Sequence, residues 1–156
     1  MNIFLMGNPN VGKSALFSRL TGTNVTSSNY AGTTVEYTAG KMEWKDDIID
    51  IIDVPGTYSL NPTNQAEEVA VEMLSDADLI INVVDATNLE RNLNLTLQLL
   101  EKDIPVVVAL NFWDEVGHCG IEINVNRLEE HLGVPVVPTS ATKGNGIRDL
   151  IELFNY

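Results

Sequence analysis

Eight residues near the start of the chain have the types and spacing of a phosphate-binding loop. The segment 7–14, Gly-Asn-Pro-Asn-Val-Gly-Lys-Ser, lies between an apolar run and a helical pattern. Its two glycines let backbone N–H groups converge on one hollow, towards which the following helix directs its positive end. Lys13 is expected to bind β- and γ-phosphate oxygens, and the Ser14 hydroxyl to bind Mg²⁺. The predicted nucleotide-binding residues of this segment are Gly7, Asn8, Pro9, Asn10, Val11, Gly12, Lys13, Ser14 and Ala15.

A second candidate segment, Asp53-Val54-Pro55-Gly56, follows another apolar run. The Asp53 carboxylate at a strand end can hold Mg²⁺ through water, and the bare backbone N–H of Gly56 can approach a γ-phosphate. Alone, D-x-x-G is a common turn. The position of residues 53–56 along the chain, at this distance after a phosphate loop, favours a role in nucleotide binding.

Two later segments predict which base is bound. They are Asn111-Phe112-Trp113-Asp114 and Thr139-Ser140-Ala141-Thr142. The Asp114 carboxylate can accept hydrogen bonds from guanine N1 and its exocyclic amine, a pair of donors that adenine does not present together. Asn111 is expected to tie the loops together, and the Ala141 N–H to donate to the guanine carbonyl. Guanine is therefore the predicted base, and Asn111, Phe112, Asp114, Ser140, Ala141 and Thr142 are its predicted binding residues.

Apolar runs alternate with helical patterns along the whole chain, which predicts an α/β fold. We expect a doubly wound, mostly parallel six-stranded sheet with about five helices on its two faces. The second and third strands form a predicted hairpin, and residues 23–34 a polar loop. Thr87 to Glu90 have the spacing of a capping box, with Leu93, Leu97 and Leu100 behind it. The predicted strands are 2–6, 35–42, 48–53, 79–85, 105–111 and 134–137, and the predicted helices begin near 13, 64, 88, 125 and 147.

Composition narrows the class of protein. The 156 residues fit one domain, and 9 basic against 22 acidic residues give a net charge of -13. This balance argues against nucleic-acid binding or a polybasic membrane patch. Cys119 is the single cysteine, so no internal disulfide forms, and the apolar runs are too short for a membrane helix. Glu67, Glu68 and Glu72 share one predicted helix, for which a solvated face is favoured over a divalent-ion site.

Together these motifs resemble the small GTPase superfamily over essentially the whole chain. Within it, the first loop, residues 29–36 and residues 53–60 are similar to the cytosolic G domain of the FeoB family of ferrous iron transporters. The resemblance implies that the domain hydrolyses GTP to GDP and phosphate as a switch for iron transport at the cytoplasmic face of the inner membrane. The implied partners are the helical and permease domains of the same polypeptide, which normally follow and are absent after Tyr156. A homo-oligomer is left open.

The resemblance also assigns roles to individual residues. In the segment Thr33-Thr34, Thr34 joins Ser14 and Asp53 as an expected Mg²⁺ ligand, and Asn10 is the expected K⁺ ligand. The implied catalytic residues are Asn10, Lys13, Thr34 and Gly56. Because Thr57 follows Gly56, no glutamine stands where many GTPases orient water, and K⁺ against the phosphates supplies the missing positive charge.

One position departs from the family. Phe112 stands where GTPases usually have lysine and FeoB proteins commonly have methionine. An aromatic ring can cover the purine face but lacks the lysine charge. We therefore expect modest GTP affinity and fast nucleotide exchange.

Three other functions remain open from the sequence. A potassium-dependent GTPase of ribosome assembly or tRNA modification shares the first loop, although the basic surface expected of it is missing. An ATP-dependent kinase or phosphotransferase also shares that loop, but Asp114 and the Ser140-Ala141 pair count against it. The third is a catalytically idle nucleotide-binding module.

Overall fold

The computed structural model describes residues 1–155 and contains one seven-stranded sheet. The strand order is β2-β3-β4-β1-β5-β6-β7. The pairs β4-β1, β1-β5, β5-β6 and β6-β7 are parallel, whereas β2-β3 and β3-β4 are antiparallel. The strands are β1 (Asn2–Gly7), β2 (Val25–Asn29), β3 (Glu36–Trp44), β4 (Asp47–Asp53), β5 (Leu79–Asp85), β6 (Val106–Asn111) and β7 (Val136–Pro138).

Six α-helices accompany the strands in the described part of the chain. At the start of the second, the Asn64 side chain accepts a hydrogen bond from the Glu67 N–H, as a capping residue should. The fifth ends at Gly133, whose left-handed conformation suits glycine. The helices are α1 (Lys13–Thr21), α2 (Gln65–Met73), α3 (Leu89–Leu100), α4 (Trp113–Val116), α5 (Val125–Leu132) and α6 (Ile147–Glu152).

The predicted doubly wound, mostly parallel α/β fold and its β3-β4 hairpin are confirmed. The predicted number of strands was one too low, because β2 lies inside the predicted polar loop 23–34. All five residues of β2 are exposed, so the strand lacks the apolar alternation by which a half-buried strand is recognised. The additional helix, α4, has only four residues and no helical repeat to detect.

The predicted start and buried face of α3 were wrong in detail. The Thr87 N–H and hydroxyl both donate to Asp85, and the helix has no side-chain cap at Asn88, so the capping box does not form. Leu95 and Leu99 are buried on this helix, whereas Leu97 is 56% exposed. This helix has leucines on more than one face, so helical spacing alone did not determine which of these faces packs against the sheet.

Alternate residues of the central strands build a core on each face of the sheet. Ile3 and Leu5 of β1 pack with α1 and α6, while Phe4 and Met6 pack with α2 and α3. Each fully buried aliphatic side chain of this kind contributes about 1.5–3 kcal/mol. No helix within residues 1–155 combines the length and apolar character needed to cross a membrane. The buried central strands therefore form a rigid base for the loops at their carboxyl ends.

Candidate functional site

The predicted phosphate loop joins the end of β1 to the start of α1. Asn10 and Gly12 both have positive φ, 65° and 83°, which curls the backbone tightly. A Cβ atom at Gly12 would lie 2.2 Å from Asn111 Nδ2, so glycine is required there by both conformation and space. The loop borders a cavity of about 450 Å³ lined by Asn8, Pro9, Asn10, Gly12, Lys13, Ser14 and Gly56.

Lys13 joins the phosphate loop to the end of β4. Its ammonium group forms an ion pair with the Asp53 carboxylate and donates to the Val54 carbonyl oxygen. The two charged side chains are only 11% and 13% exposed. Both predicted charges therefore meet at the cavity and neutralise each other there.

Gly56 lies beside the phosphate loop. A Cβ atom on Gly56 would lie 3.2 Å from backbone atoms of Pro9, which places the glycine against the loop. The Thr57 N–H donates to the Gly7 carbonyl oxygen at 3.0 Å. The backbone after β4 is thus held beside the cavity.

Glu67 of α2 organises the loop between Gly56 and α2. One carboxylate oxygen accepts from the Thr57 hydroxyl at 2.8 Å and from the Tyr58 N–H. The other accepts from the Thr63 hydroxyl at 2.6 Å and from the Thr63 N–H. Hydrogen bonds from Thr63, then Thr57, lower the pKa of Glu67 to about 2. The predicted solvated face was therefore wrong for Glu67, which is buried and bonded.

The Glu67→Gln variant is expected to remove a pH-dependent contribution to stability. Because folding lowers the Glu67 pKa from 4.5 to about 2, the ionised group stabilises the fold above pH 4.5 and loses that effect as the pH falls towards 2. The contribution to the free energy of unfolding is about 2 kcal/mol. This is less than the full pKa shift corresponds to, because solvent beside the loop screens the charge. Urea unfolding at pH 7 and pH 3 measures this contribution. The free energy of unfolding should differ more between the wild type and Glu67→Gln at pH 7 than at pH 3. An equal difference at both pH values would contradict this role.

The predicted base-binding end lies where β6 and β7 end. Asn111 is buried and donates to the Val11 carbonyl oxygen at 2.9 Å. Its own side-chain oxygen accepts from the Thr139 hydroxyl and the Ala141 N–H, both at 3.1 Å. Asn111, in the 111–114 segment, therefore ties the phosphate loop to the 139–142 segment, as predicted.

Asp114 is held in place by two partners. The Ser140 hydroxyl donates to one carboxylate oxygen at 2.8 Å, and Lys143 forms an ion pair with the other at 3.2 Å. The Ser140 hydrogen bond, with a smaller effect of Lys143, holds the pKa of Asp114 below its ordinary value. A carboxylate kept ionised in this way is suited to accept two hydrogen bonds from a base.

Phe112 has positive φ, 59°, which is uncommon for a bulky side chain. Its ring lies against the phosphate loop, since a Cβ atom at Gly12 would be 3.3 Å from Phe112 Cζ. The ring thus occupies the junction between the phosphate-binding and base-binding ends. Its expected effect on GTP affinity stays a prediction.

Three predicted site residues lie away from the phosphate cavity. The Thr33 hydroxyl donates to the Tyr30 carbonyl oxygen and accepts from the Val35 N–H, so it closes its own turn. Thr34 is exposed, and Ala15, in the first turn of α1, packs against the core. Ser14 therefore lines the cavity and Asp53 is bonded to Lys13 at its edge, whereas Thr34 is not among the residues that line it.

The sequence did not indicate several contacts of the site. Lys143 was not predicted as a partner of Asp114, and Arg19 was not predicted to bind the 139–142 segment. A basic residue two or three positions after the Ser-Ala pair is a weak signal for the first. Nothing in the residue spacing of α1 indicates the contact of Arg19 with the 139–142 segment.

The candidate cation ligands are oxygen donors. The Ser14 hydroxyl and Asp53 carboxylate fit Mg²⁺, and the carboxamide oxygen of Asn10, which lines the same cavity, fits K⁺. Within residues 1–155, no group of three or more His, Cys, Asp or Glu is arranged to hold a metal ion.

Comparison with known proteins decides the family. The family model of ferrous iron transport protein B matches residues 1–154. The chain belongs to this family. It is 47% identical to the Fe(2+) transporter FeoB of Escherichia coli K12 over 96% of its own length, but spans only 20% of that relative.

Solved FeoB structures share the fold. The cytosolic domain of L. pneumophila FeoB is 45% identical, with a TM-score of 0.93 over 97% of this chain and 66% of that one. A mutant NFeoB of S. thermophilus bound to GDP is 48% identical, with a TM-score of 0.91 over 97% of this chain and 60% of that one. The fold is therefore that of the FeoB G domain, a P-loop GTPase fold.

Proposed function

We propose that this domain binds guanine nucleotides and hydrolyses GTP to GDP and phosphate. The observation that carries the proposal is the convergence of four segments at one edge of the sheet, with Asn111 bonded to both the phosphate loop and the Ala141 N–H. The GDP bound to the S. thermophilus NFeoB supports guanine as the base. An ATP-dependent phosphotransferase is disfavoured by Asp114, and competition of ATP with bound GDP tests this cheaply.

Each residue of the site has a distinct task in this proposal. Lys13 exchanges its bond to Asp53 for phosphate oxygens, while the backbone N–H of Gly56 approaches the γ-phosphate. Ser14 and Asp53 would hold Mg²⁺, with Thr34 joining them only after residues 30–35 rearrange. When bound, Mg²⁺ and K⁺ would neutralise charge that develops on the phosphates.

Asn10 is the residue on which the proposed K⁺ dependence rests. It is exposed, adopts the left-handed conformation and lines the phosphate cavity. Thr57 does not replace the missing glutamine, because its hydroxyl contacts Glu67 and the Ser59 carbonyl oxygen. Positive charge beside the phosphates is therefore the proposed source of catalysis, in place of a water-orienting side chain.

Asn10→Ala is expected to abolish stimulation of GTP turnover by K⁺. Without the carboxamide oxygen the cation loses a ligand, so the rate in K⁺ should fall about tenfold or more, to the rate in Na⁺. Steady-state phosphate release with K⁺ varied at constant ionic strength measures this. Asn126→Ala, at an exposed position of α5, is the matched control. Equal wild-type rates in K⁺ and Na⁺ would refute the K⁺ proposal, and absence of turnover would indicate the idle nucleotide-binding module.

We further propose that GTP turnover acts as a switch for ferrous iron transport. Family membership favours this role over ribosome assembly or tRNA modification. The chain spans a fifth of the curated relatives, so the proposed partners are helical and permease domains of a longer polypeptide, with this domain at the cytoplasmic face of the inner membrane. Iron uptake by cells carrying the full-length transporter with Asn10→Ala should fall if turnover drives the switch.

A further inference from the structure

Arg19 of α1 binds the backbone of the predicted base-binding segment, residues 139–142. Its Nε donates to the Ala141 carbonyl oxygen at 2.8 Å, and its Nη2 to the Thr142 carbonyl oxygen at 2.5 Å. One planar guanidinium group therefore binds two successive carbonyls. This use of a rigid fork is geometrically specific, and lysine cannot reproduce it with a single ammonium group.

The segment is shaped to receive the guanidinium group. Gly144 has a φ of 80°, and a Cβ atom there would lie 3.3 Å from Arg19 Nη1. The chain turns back at this glycine, with the N–H groups of Lys143, Gly144 and Asn145 all donating to the Ser140 carbonyl oxygen. The turn closes residues 140–145 on themselves, and Arg19 fixes this turn to α1.

The same helix carries the phosphate-binding lysine at its first residue. Arg19 follows Lys13 by six positions, which corresponds to about 9 Å along a helix. Because α1 packs into the core through Leu16, Phe17 and Leu20, it is a rigid connection between the two ends of the site. Arg19 thus sets the position of the base-binding segment relative to the phosphate loop.

The backbone held by Arg19 is the part expected to meet guanine. The Ala141 N–H, now bonded to Asn111, is the predicted donor to the guanine carbonyl. The Ala141 carbonyl that Arg19 binds belongs to the same peptide group as the Thr142 N–H. A hydrogen bond from a cation to that carbonyl polarises the peptide and makes the N–H a stronger donor.

We propose that Arg19 is a positioning residue for guanine recognition, which holds the N–H groups of residues 141 and 142 where they meet the oxygen on carbon 6 of the base. The inference rests on the proposed guanine-nucleotide binding. Arg19 would act on the base oxygen only through these N–H groups, without touching the nucleotide itself. Asp114, in contrast, is assigned to the N1 and amine side of the base.

The test compares three nucleoside diphosphates on the wild type and on Arg19→Met, which keeps an apolar stem but has no donors. GDP and IDP both carry the oxygen on carbon 6, and 2-aminopurine riboside diphosphate lacks it. Arg19→Met should raise the dissociation constants of GDP and IDP alike, by about tenfold, and leave that of the 2-aminopurine nucleotide unchanged. Arg19→Lys should recover part of the loss, since lysine can bind one carbonyl. Displacement of a fluorescent GDP measures all three constants.

Arg127→Met on α5 is the matched control, because Arg127 is exposed and outside the site. Equal weakening of all three nucleotides would assign Arg19 a general structural role and overturn the proposal. Weakening of GDP and the 2-aminopurine nucleotide with IDP unchanged would place the effect at the amine, which IDP lacks, and would also overturn the proposal, as would unchanged GDP binding. Failure of the wild type to bind GDP would instead refute the proposed function itself.

Discussion

Replacing Asp114 by asparagine is expected to weaken GDP binding about a thousandfold and to favour the xanthine nucleotide. The carboxylate, held by Ser140 and Lys143, faces two donors of guanine in the proposed complex. An asparagine amide turns one acceptor into a donor, which meets the guanine amine unfavourably. Xanthine has a carbonyl oxygen at that carbon and accepts the new hydrogen bond.

Calorimetric titration with GDP and XDP measures this exchange of preference. Glu115→Gln is the matched control, because it removes a carboxylate from the next residue, which is exposed on α4. GDP affinity that survives in Asp114→Asn would show that the base is recognised elsewhere. A loss of both nucleotides together with a lower unfolding temperature would instead assign Asp114 to the stability of the 140–145 turn.

Lys13→Met is expected to reduce GTP turnover by at least about a thousandfold. The substitution removes the ammonium group that the phosphates need and leaves Asp53, only 13% exposed, without its ion-pair partner. That carboxylate then repels an anionic ligand in a chain whose net charge is already -13. Single-turnover hydrolysis at saturating protein separates the lost chemistry from weak binding.

Lys102→Met, in the exposed turn after α3, is the control for loss of a lysine charge. It should keep the wild-type rate. Residual turnover of Lys13→Met near the wild-type value would mean that the phosphates bind elsewhere. A double variant, Lys13→Met with Asp53→Asn, should recover part of the nucleotide binding but none of the hydrolysis, because it removes the repulsion without restoring the cation.

The sequence predicted those parts of the molecule that depend on local residue types. Buried strands such as Leu79–Asp85 are nearly continuous apolar runs, and the phosphate loop needs glycine at position 12, where φ is positive and no Cβ atom fits. Parallel strands end at one edge, so the segments at 53, 111 and 139 could be expected to meet. Asn111 as their link followed from the same argument.

What the sequence did not predict depends on contacts between distant elements. Arg19 and Ala141 are 122 positions apart, and no pattern within α1 distinguishes Arg19 from a solvated charge. Glu67 was predicted to lie on a solvated helix face, because its bonds to Thr57 and Thr63 come from a loop that folds back on the helix. The conformation of residues 30–35, which keeps Thr34 exposed, is likewise set by a turn around Tyr30 and Thr33.

The exposed edge strand β2 has a consequence for how the fold opens. Its five residues pair only with β3 and bury no apolar side chain, so detaching the strand breaks a few backbone hydrogen bonds and uncovers no core. Amide protons of β2 should consequently exchange with deuterium through local opening, well before those of β5. Because Asn29 leads directly into the turn of residues 30–35, opening of β2 frees one end of the segment that carries Thr34 without unfolding the domain.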